Sequence, residues 1–226
     1  MLKAVIFDFD GVITDSEVLH LRSFNRVLGR YNIEISSKDY YQTYLGLSDV
    51  DCYRALIKNG VLRINERQIP ELVKQKNHIF EELARTEGRT IEGVHGFLKM
   101  LSQNKIPMAI CSGALSAEIE MLLEEANMRH FFSVIVSAEQ VKKGKPDPEG
   151  FLLTLQRLNK GRTEPIEASQ CIVIEDSHWG LAAAATAGMH TIAVTNTYEA
   201  EYLSRAEKIV SRLDELKIAD LQQLCT

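Results

Sequence analysis

An apolar strand that ends in two acids opens the chain: Ala4-Val5-Ile6-Phe7-Asp8-Phe9-Asp10-Gly11. Side chains two positions apart on a strand point to the same face, so we expect the carboxylates of Asp8 and Asp10 about 7 Å apart by strand rise. Carboxylates at that spacing can share one ion or one substrate, which predicts metal-assisted chemistry. Asp and Gly are also common turn residues, and they could simply end the strand.

Two further apolar runs end in polar residues. Residues 106–111 lead into Ser112-Gly113-Ala114, and residues 171–174 lead into Glu175-Asp176-Ser177. In an open parallel sheet, ligands bind outside the carboxyl ends of the strands. We therefore expect the three polar segments to meet in one crevice.

The alternation of helical and strand patterns after Ile91 predicts an α/β fold with a doubly wound parallel sheet, helices on both faces and right-handed crossovers. The predicted strands after the first cover 106–111, 133–137, 171–174, 190–194 and 208–210, and the predicted helices cover 93–104, 115–127, 148–158 and 178–187. Residues 16–89 have helical periodicity and no convincing strand. We therefore predict a Rossmann-like catalytic core of residues 1–15 and 90–226, with residues 16–89 inserted as an all-helical cap domain.

The composition of the 226-residue chain, 45% hydrophobic and 25% charged, is typical of a globular protein with one sizeable core and a smaller insertion. A net charge of −5 gives no general attraction for nucleic acid. No apolar stretch reaches the roughly 20 residues of a membrane span, and no signal-type segment precedes the first strand, so we expect a cytoplasmic protein. Four widely spaced cysteines are expected to be free thiols, and Trp179 is expected in the core.

Four ordered motifs resemble those of the haloacid dehalogenase superfamily, in the subgroup of beta-phosphoglucomutase and phosphoglycolate phosphatase. The motifs are Asp8 to Ser16, Ser112, Lys145-Pro146 and Glu175-Asp176-Ser177, and they spread over essentially the whole chain. The resemblance implies a Mg²⁺-dependent phosphatase that acts on a small phosphorylated metabolite. We find no need for an organic cofactor and no sign of an obligate protein partner.

The resemblance also implies the catalytic roles. Asp8 would be the nucleophile that forms an aspartyl-phosphate, and Asp10 the acid and base that protonates the leaving oxygen and then activates water. Ser112 and the backbone amides of Gly113 and Ala114 would bind the phosphoryl oxygens. As a structural alternative, Ser112 could simply cap a helix over 115–127.

A carboxylate that attacks a phosphate dianion requires cations to offset their repulsion. By the resemblance, Lys145 and Mg²⁺ supply them, with Asp8, Asp176 and the backbone carbonyl of Asp10 as metal ligands and Glu175 either a ligand or a support for one. Lys145 could instead be a solvated loop charge, and Glu175-Asp176 could cap a helix over 178–187.

Within the insertion, His20 and Lys76 fall where the phosphoglucomutase branch has functional cap residues, so we predict that they bind substrate. A sugar phosphomutase is therefore the alternative function. Asp49 lies where that branch has an arginine that grips the distal phosphate, and an acid there would repel a second phosphoryl group. His20 could also be a helix-face histidine and Lys76 a solvated lysine.

Three other activities fit this scaffold less well. A carbon–halogen hydrolase needs neither Mg²⁺ nor a second acid beside its nucleophile. A phosphonate hydrolase needs a Schiff-base lysine in the cap, for which the candidates are Lys38, Lys58, Lys74 and Lys76. A phospho-receiver switch would carry its aspartate at the end of an interior strand and have no large cap, whereas Asp8 ends the first strand of a chain with a large insertion.

Overall fold

Six parallel strands form the centre of one of the two units into which the chain divides. The computed structural model describes residues 1–225. The sheet unit consists of Met1–Asp15 and the chain from Thr90 onward, and the other unit is Ser16–Arg89. The strands are β1 (Ala4–Phe7), β2 (Met108–Cys111), β3 (Phe132–Val136), β4 (Cys171–Glu175), β5 (His190–Val194) and β6 (Lys208–Val210).

The strand order is β3-β2-β1-β4-β5-β6, and every neighbouring pair is parallel. All residues of β1, β2 and β4 are buried, as expected for parallel strands that are covered on both faces. β1 lies between β2 and β4, which brings the segments after these three strands to one edge of the sheet. The predicted fold class is therefore confirmed.

The helices of the Ser16–Arg89 unit are α1 (Glu17–Leu28), α2 (Asp49–Lys58) and α3 (Ile69–Glu87), with a short helical turn at Ser37–Asp39 that continues as a π-turn at Tyr40–Tyr44. The helices of the sheet unit are α4 (Val94–Gln103), α5 (Ser116–Glu125), α6 (Glu149–Leu158), α7 (His178–Thr186) and α8 (Ile218–Leu224). Single 3₁₀ turns lie at Gly29–Tyr31, Glu66–Gln68, Arg129–Phe131, Ala138–Gln140, Ala168–Gln170 and Leu213–Glu215.

Helices cover both faces of the sheet. On one face, Ile6 of β1 belongs to a buried cluster with Phe151 of α6 and Ala183 of α7. The next side chain along β1, Phe7, points the other way and meets the edge of Phe97 of α4, with 6.0 Å between ring centroids. This alternation, set by the strand period of two, confirms the two covered faces.

The Ser16–Arg89 unit consists of helices and turns and contains no strand. Its three helices share an apolar cluster that includes Phe24 of α1, Tyr53 of α2 and Leu72 of α3. Ser48 starts α2 by accepting a hydrogen bond from the Asp51 amide at 3.2 Å, the usual arrangement of a helix N-cap.

Several details differ from the sequence-based expectation. The strand β1 ends at Phe7, before Asp8, so strand alternation does not govern the position of Asp10. The helix α8 was not predicted, and Trp179 is 46% exposed instead of lying in the core. β1 is an interior strand of the sheet. The phosphorylated aspartate of a receiver switch also ends an interior strand, so strand position does not distinguish Asp8 from such an aspartate.

The four cysteines are free, as predicted, and all four are buried. Within residues 1–225, none of the helices combines the length and the apolar character that a membrane span needs.

Candidate active site

Asp8 is held at the carboxyl end of β1. Its amide donates a hydrogen bond to the Ile174 carbonyl of β4 at 2.9 Å, which extends the pairing of the two strands by one residue. The chain then turns, and the Phe9 carbonyl accepts hydrogen bonds from the amides of Ile13 and Thr14. This turn, and not the strand, places Asp10.

Lys145 lies inside this site and is not a solvated loop charge. Its Nζ is 2.5 Å from Asp8 Oδ1 and 2.5 Å from Glu175 Oε1, and its side chain is 18% exposed. Burial disfavours the charged amine, but the two carboxylates outweigh that effect and raise the pKa of Lys145 above its usual range. The loop between β3 and α6 therefore supplies a cation to the end of β1.

Glu175, the last residue of β4, is fully buried. Its Oε2 accepts hydrogen bonds from the amides of Asp176 and Ser177, each at 3.1 Å, and from the Ser177 hydroxyl at 2.9 Å. Its Oε1 accepts from Lys145. Glu175 is thus held through both oxygens and fixes the direction of the Lys145 amine.

The helix after this motif is capped by Ser177, whose hydroxyl accepts a hydrogen bond from the Gly180 amide at 3.1 Å. The capping alternative for Glu175-Asp176 is therefore wrong. The absence of a side chain at Gly180 makes room for the Glu175 carboxylate. A Cβ at Gly180 would lie 1.7 Å from Glu175 Oε1.

Gly11 brings the turn after β1 against Asp176. Its φ is +73°, a value that favours glycine, and a Cβ there would lie 1.8 Å from Asp176 Oδ2. The Asn196 side chain donates to the Gly11 carbonyl at 2.8 Å. The loop after β5 therefore supports the turn from a second side.

Ser112 follows β2, and its amide donates to the Val136 carbonyl of β3 at 2.9 Å. Its hydroxyl accepts a hydrogen bond from the Ala114 amide at 2.9 Å, so that amide is already engaged. Since α5 begins at Ser116, Ser112 does not cap this helix. A hydroxyl that accepts one bond still has a proton to donate, and the neighbouring Gly113 is exposed.

The ligand atoms of Asp8, Glu175 and Asp176 all lie within 4.8 Å of one another. The pKa of Asp8 is raised to about 8, mainly by burial; the charge of Lys145 opposes this shift, and repulsion from Glu175 and Asp10 adds to it. Clustered carboxylate oxygens are the ligands that hard divalent cations prefer. The residues present therefore fit a metal ion.

The two cap residues of the sequence prediction contact each other in the Ser16–Arg89 unit. Lys76 Nζ is 2.7 Å from His20 Nδ1 and 3.0 Å from Asp49 Oδ2, and the Lys76 side chain is 1% exposed. The alternative of a solvated lysine is therefore wrong.

The sequence prediction did not include Gly11, Gly180, Ser177 or Asn196 as site residues. The first three lie within or just after the quoted motifs, so their positions were a usable signal. No sequence pattern marked Asn196 as a site residue, because its contact with Gly11 spans 185 positions of the chain.

The family model described as "Haloacid dehalogenase-like hydrolase" matches residues 5–194. The chain is 29% identical over 198 residues to the fructose-1-phosphate phosphatase YqaB of Escherichia coli, covering 84% of this chain and 95% of that protein. It is 37% identical over 157 residues to the chloroplastic 5-amino-6-(5-phospho-D-ribitylamino)uracil phosphatase of Arabidopsis thaliana, which is 70% of this chain but only 40% of that protein.

Among solved structures, the chain is similar to a beta-phosphoglucomutase from Clostridium difficile. The TM-score is 0.84 at 25% identity, over 100% of this chain and 97% of that one. The match of the family model to residues 5–194 takes in β1 from Val5 onward, the buried lysine and the acids at the end of β4, and the chain therefore belongs to the haloacid dehalogenase-like hydrolase family.

Proposed function

We propose that the protein hydrolyses a small phosphomonoester in two steps, through a phosphoryl group carried on Asp8. The observation that carries the proposal is the buried contact of Lys145 with both Asp8 and Glu175 beside Asp176. An acid at the end of an interior strand, paired with a fixed cation, is suited to nucleophilic attack on a phosphoryl group.

In the first step, an Asp8 carboxylate oxygen forms a bond to phosphorus while the ester P–O bond breaks. Asp10 gives its proton to the leaving oxygen, so the product alcohol departs neutral. In the second step, Asp10 takes a proton from water as the water oxygen bonds to phosphorus. The bond between phosphorus and Asp8 breaks, which releases phosphate and restores the Asp8 carboxylate.

Lys145, the Ser112 hydroxyl and the Gly113 amide would bind the phosphoryl oxygens during both steps. Because the Ala114 amide already donates to Ser112, we assign Ala114 to orienting that hydroxyl and not to direct contact. Both Glu175 oxygens accept hydrogen bonds, which supports a role in positioning Lys145.

We propose Mg²⁺ as the metal, held by Asp8, Asp176 and the backbone carbonyl of Asp10. When bound, it would offset the negative charge of the phosphoryl group and of the attacking carboxylate. Metal removal by a chelator should therefore abolish turnover.

The E. coli and Arabidopsis relatives are both named as phosphatases of small phosphorylated metabolites. Their names support a small phosphorylated substrate for this chain. The Ser16–Arg89 unit, with His20 and Lys76, would act as the cap that selects it. A cytoplasmic location and the absence of nucleic-acid, membrane and obligate protein partners remain predictions from the sequence.

A sugar phosphomutase is the second candidate, and the likeness to a beta-phosphoglucomutase structure favours it. Asp49 disfavours it, since it pairs with Lys76 and would repel a second phosphoryl group.

The test is phosphate release from a panel of small phosphomonoesters with Mg²⁺ and with chelator, together with glucose 6-phosphate formation from beta-glucose 1-phosphate. Asp8→Asn should abolish turnover, whereas Glu164→Gln, an exposed carboxylate of the same unit, should not. Asp10→Asn should let the phosphorylated Asp8 accumulate, which mass spectrometry would detect. Substantial Mg²⁺-dependent activity in Asp8→Asn would exclude the covalent mechanism, and isomer interconversion with little phosphate release would favour the mutase.

A further inference from the structure

The loop that carries Lys145 runs along the surface of the sheet unit, between the 3₁₀ turn at Ala138–Gln140 and α6. Residues 142–144 and Pro146 are exposed, whereas the Lys145 side chain points inward and is only 18% exposed. An exposed loop buries little apolar surface, so its conformation depends mainly on its hydrogen bonds. The groups that hold the backbone of residues 142–144 therefore decide where the Lys145 amine lies.

Glu149, the first residue of α6, holds this backbone with its carboxylate. Its Oε1 accepts a hydrogen bond from the Lys142 amide at 2.9 Å, and its Oε2 accepts one from the Lys143 amide at 3.1 Å. Hydrogen bonds to an ionised group are strong, and a carboxylate that uses both oxygens also fixes the direction of its partners. The segment immediately before Lys145 is therefore fixed in position and in direction.

Two further hydrogen bonds close the loop around Lys145. The Asp147 amide donates to the Gly144 carbonyl at 3.0 Å, and the Glu149 amide donates to Asp147 Oδ1 at 3.1 Å. Lys145 thus lies between residues that are bonded to each other and to Glu149.

The first turn of α6 is itself fixed to the sheet. Gly150 lies against β2, since a Cβ there would be 2.8 Å from Cys111 Sγ. Phe151 is fully buried in a cluster with side chains of β1, and the centroid of its ring lies 5.2 Å from Lys145 Nζ. The helix that begins at Glu149 is therefore anchored on the two strands that lead into the site.

We propose that Glu149 is a positioning residue, which acts on the reaction through Lys145 and touches no reacting atom. By holding the amides of residues 142 and 143 at the start of α6, it keeps the Lys145 amine in contact with Asp8 and Glu175, each at 2.5 Å. The inference rests on the proposed function, in which Lys145 binds the phosphoryl oxygens. Without Glu149, the amine would occupy a wider range of positions and bind the phosphoryl group less well.

The test variant is Glu149→Gln, which keeps the size of the side chain. Glutamine has one side-chain oxygen, so it can accept only one of the two bonds, and its NH₂ group would face the N–H of the other amide. The matched control is Asp220→Asn in the first turn of α8. Asp220 also uses both oxygens, one for the Lys217 amide at 2.8 Å and one for the Lys208 amine at 3.1 Å.

Two measurements are made on each protein. Hydrolysis of p-nitrophenyl phosphate with Mg²⁺ gives kcat and KM. Thermal unfolding with increasing inorganic phosphate, at constant Mg²⁺ and ionic strength, gives the dissociation constant of phosphate from the rise in Tm. The second measurement needs no turnover, so it also applies to Lys145→Ala and to the double variant Glu149→Gln/Lys145→Ala. A residue that acts only through Lys145 has no effect once the lysine is absent, whereas independent effects add in free energy.

We expect Glu149→Gln to lower kcat about 10- to 100-fold, since a misplacement of about 1 Å costs up to about the larger factor. It should weaken phosphate binding about tenfold, because a hydrogen bond to a charged group is worth at least about that factor. In the Lys145→Ala background, the same substitution should leave the dissociation constant of phosphate unchanged. Asp220→Asn should match the wild type in kcat and in phosphate binding.

If Glu149→Gln weakened phosphate binding by the same factor with and without Lys145, Glu149 would act independently of the lysine and the inference would be overturned. A Glu149→Gln protein that matched Asp220→Asn in both measurements would also overturn it. So would a Glu149→Gln protein that does not fold, since its role would then extend beyond the loop. If Lys145→Ala bound phosphate as tightly as the wild type, or if the wild type released no phosphate with Mg²⁺, the proposed function itself would fail, and the inference with it.

Discussion

Replacing Gly180 by alanine tests whether Glu175 holds Lys145 in place. A Cβ at this position would lie 1.7 Å from Glu175 Oε1 and 1.9 Å from its carboxyl carbon. The carboxylate is the end of a flexible side chain, but it is fully buried and held by Lys145 and by three hydrogen bonds from residues 176 and 177. It cannot move aside without losing those partners.

The expected change in the free energy of unfolding of Gly180→Ala follows from two opposing effects. Breaking a buried charge pair costs about 3–5 kcal/mol, whereas alanine in a helix is favoured over glycine by about 1 kcal/mol. We therefore expect Gly180→Ala to lower the free energy of unfolding by about 2–4 kcal/mol. A Lys145 amine displaced by about 1 Å should reduce kcat about 100-fold, on every ester tested.

Gly96→Ala is the matched control. Gly96 also lies in a helix, but a Cβ there would meet no atom of the described residues within 4 Å, apart from its own helix. The substitution should raise the free energy of unfolding by about 0.4–1 kcal/mol and leave kcat unchanged. Urea unfolding and p-nitrophenyl phosphate hydrolysis measure both quantities. If Gly180→Ala matched Gly96→Ala in stability and in kcat, the assigned role of Glu175 would be refuted.

Three further predictions concern Gly11 and Asp176 of the site and His20 of the Ser16–Arg89 unit. Gly11→Ala should reduce both stability and kcat, since its Cβ would lie 1.8 Å from Asp176 Oδ2 at a φ of +73°; wild-type values in urea unfolding and turnover would contradict this. Asp176→Asn should raise the Mg²⁺ concentration for half-maximal activity, and an unchanged metal titration would place the ion elsewhere. Because the folded chain disfavours protonated His20 while the unfolded chain binds that proton near pH 6.5, stability should fall as the pH drops below that value, by up to about 1.4 kcal/mol per pH unit. In thermal unfolding measured against pH, His20→Asn should not show this loss of stability at low pH. If the wild type and His20→Asn gave parallel curves, the contribution of His20 would be excluded.

The centre of the sheet could be predicted from the sequence because β1, β2 and β4 are buried throughout and almost entirely apolar. Strand β5 lies at the predicted residues 190–194, and β4 extends only one residue beyond the predicted end at 174. A central strand of a parallel sheet is buried on both faces, so its composition alone marks it. The polar residues that follow β1, β2 and β4 stood out for the same reason.

The geometry around Asp8 could not be predicted in the same way. The strand was expected to reach Asp10, but it ends at Phe7, and hydrogen bonds within residues 9–14 shape the turn. Where a strand ends depends on its neighbours in the sheet, which periodicity does not reveal. The engagement of the Ala114 amide by Ser112 depends likewise on a local turn.

The environment of Lys76 also could not be predicted from the sequence. A lysine on a helix is usually solvated, and Lys76 is buried because α1 and α2 supply His20 and Asp49 as partners. Those partners are 56 and 27 positions away, from their residue numbers. Only the packing of the three helices brings them together, whereas the motif resemblance could only name the positions.

Core and cap substitutions should be separable by kinetics. Lys145 is proposed to bind the phosphoryl group, which every phosphomonoester carries, and Glu175 and Gly180 to act through Lys145. Variants of all three should therefore lower kcat for all esters by a similar factor. His20 and Lys76 are proposed to select the substrate, so their variants should change the ranking of esters and do so mainly through KM. A cap variant that slows p-nitrophenyl phosphate and a sugar phosphate equally would mean that its residue acts on the chemistry. If Gly180→Ala changed the ranking of the esters, Lys145 would also contact the part of the substrate that differs between them.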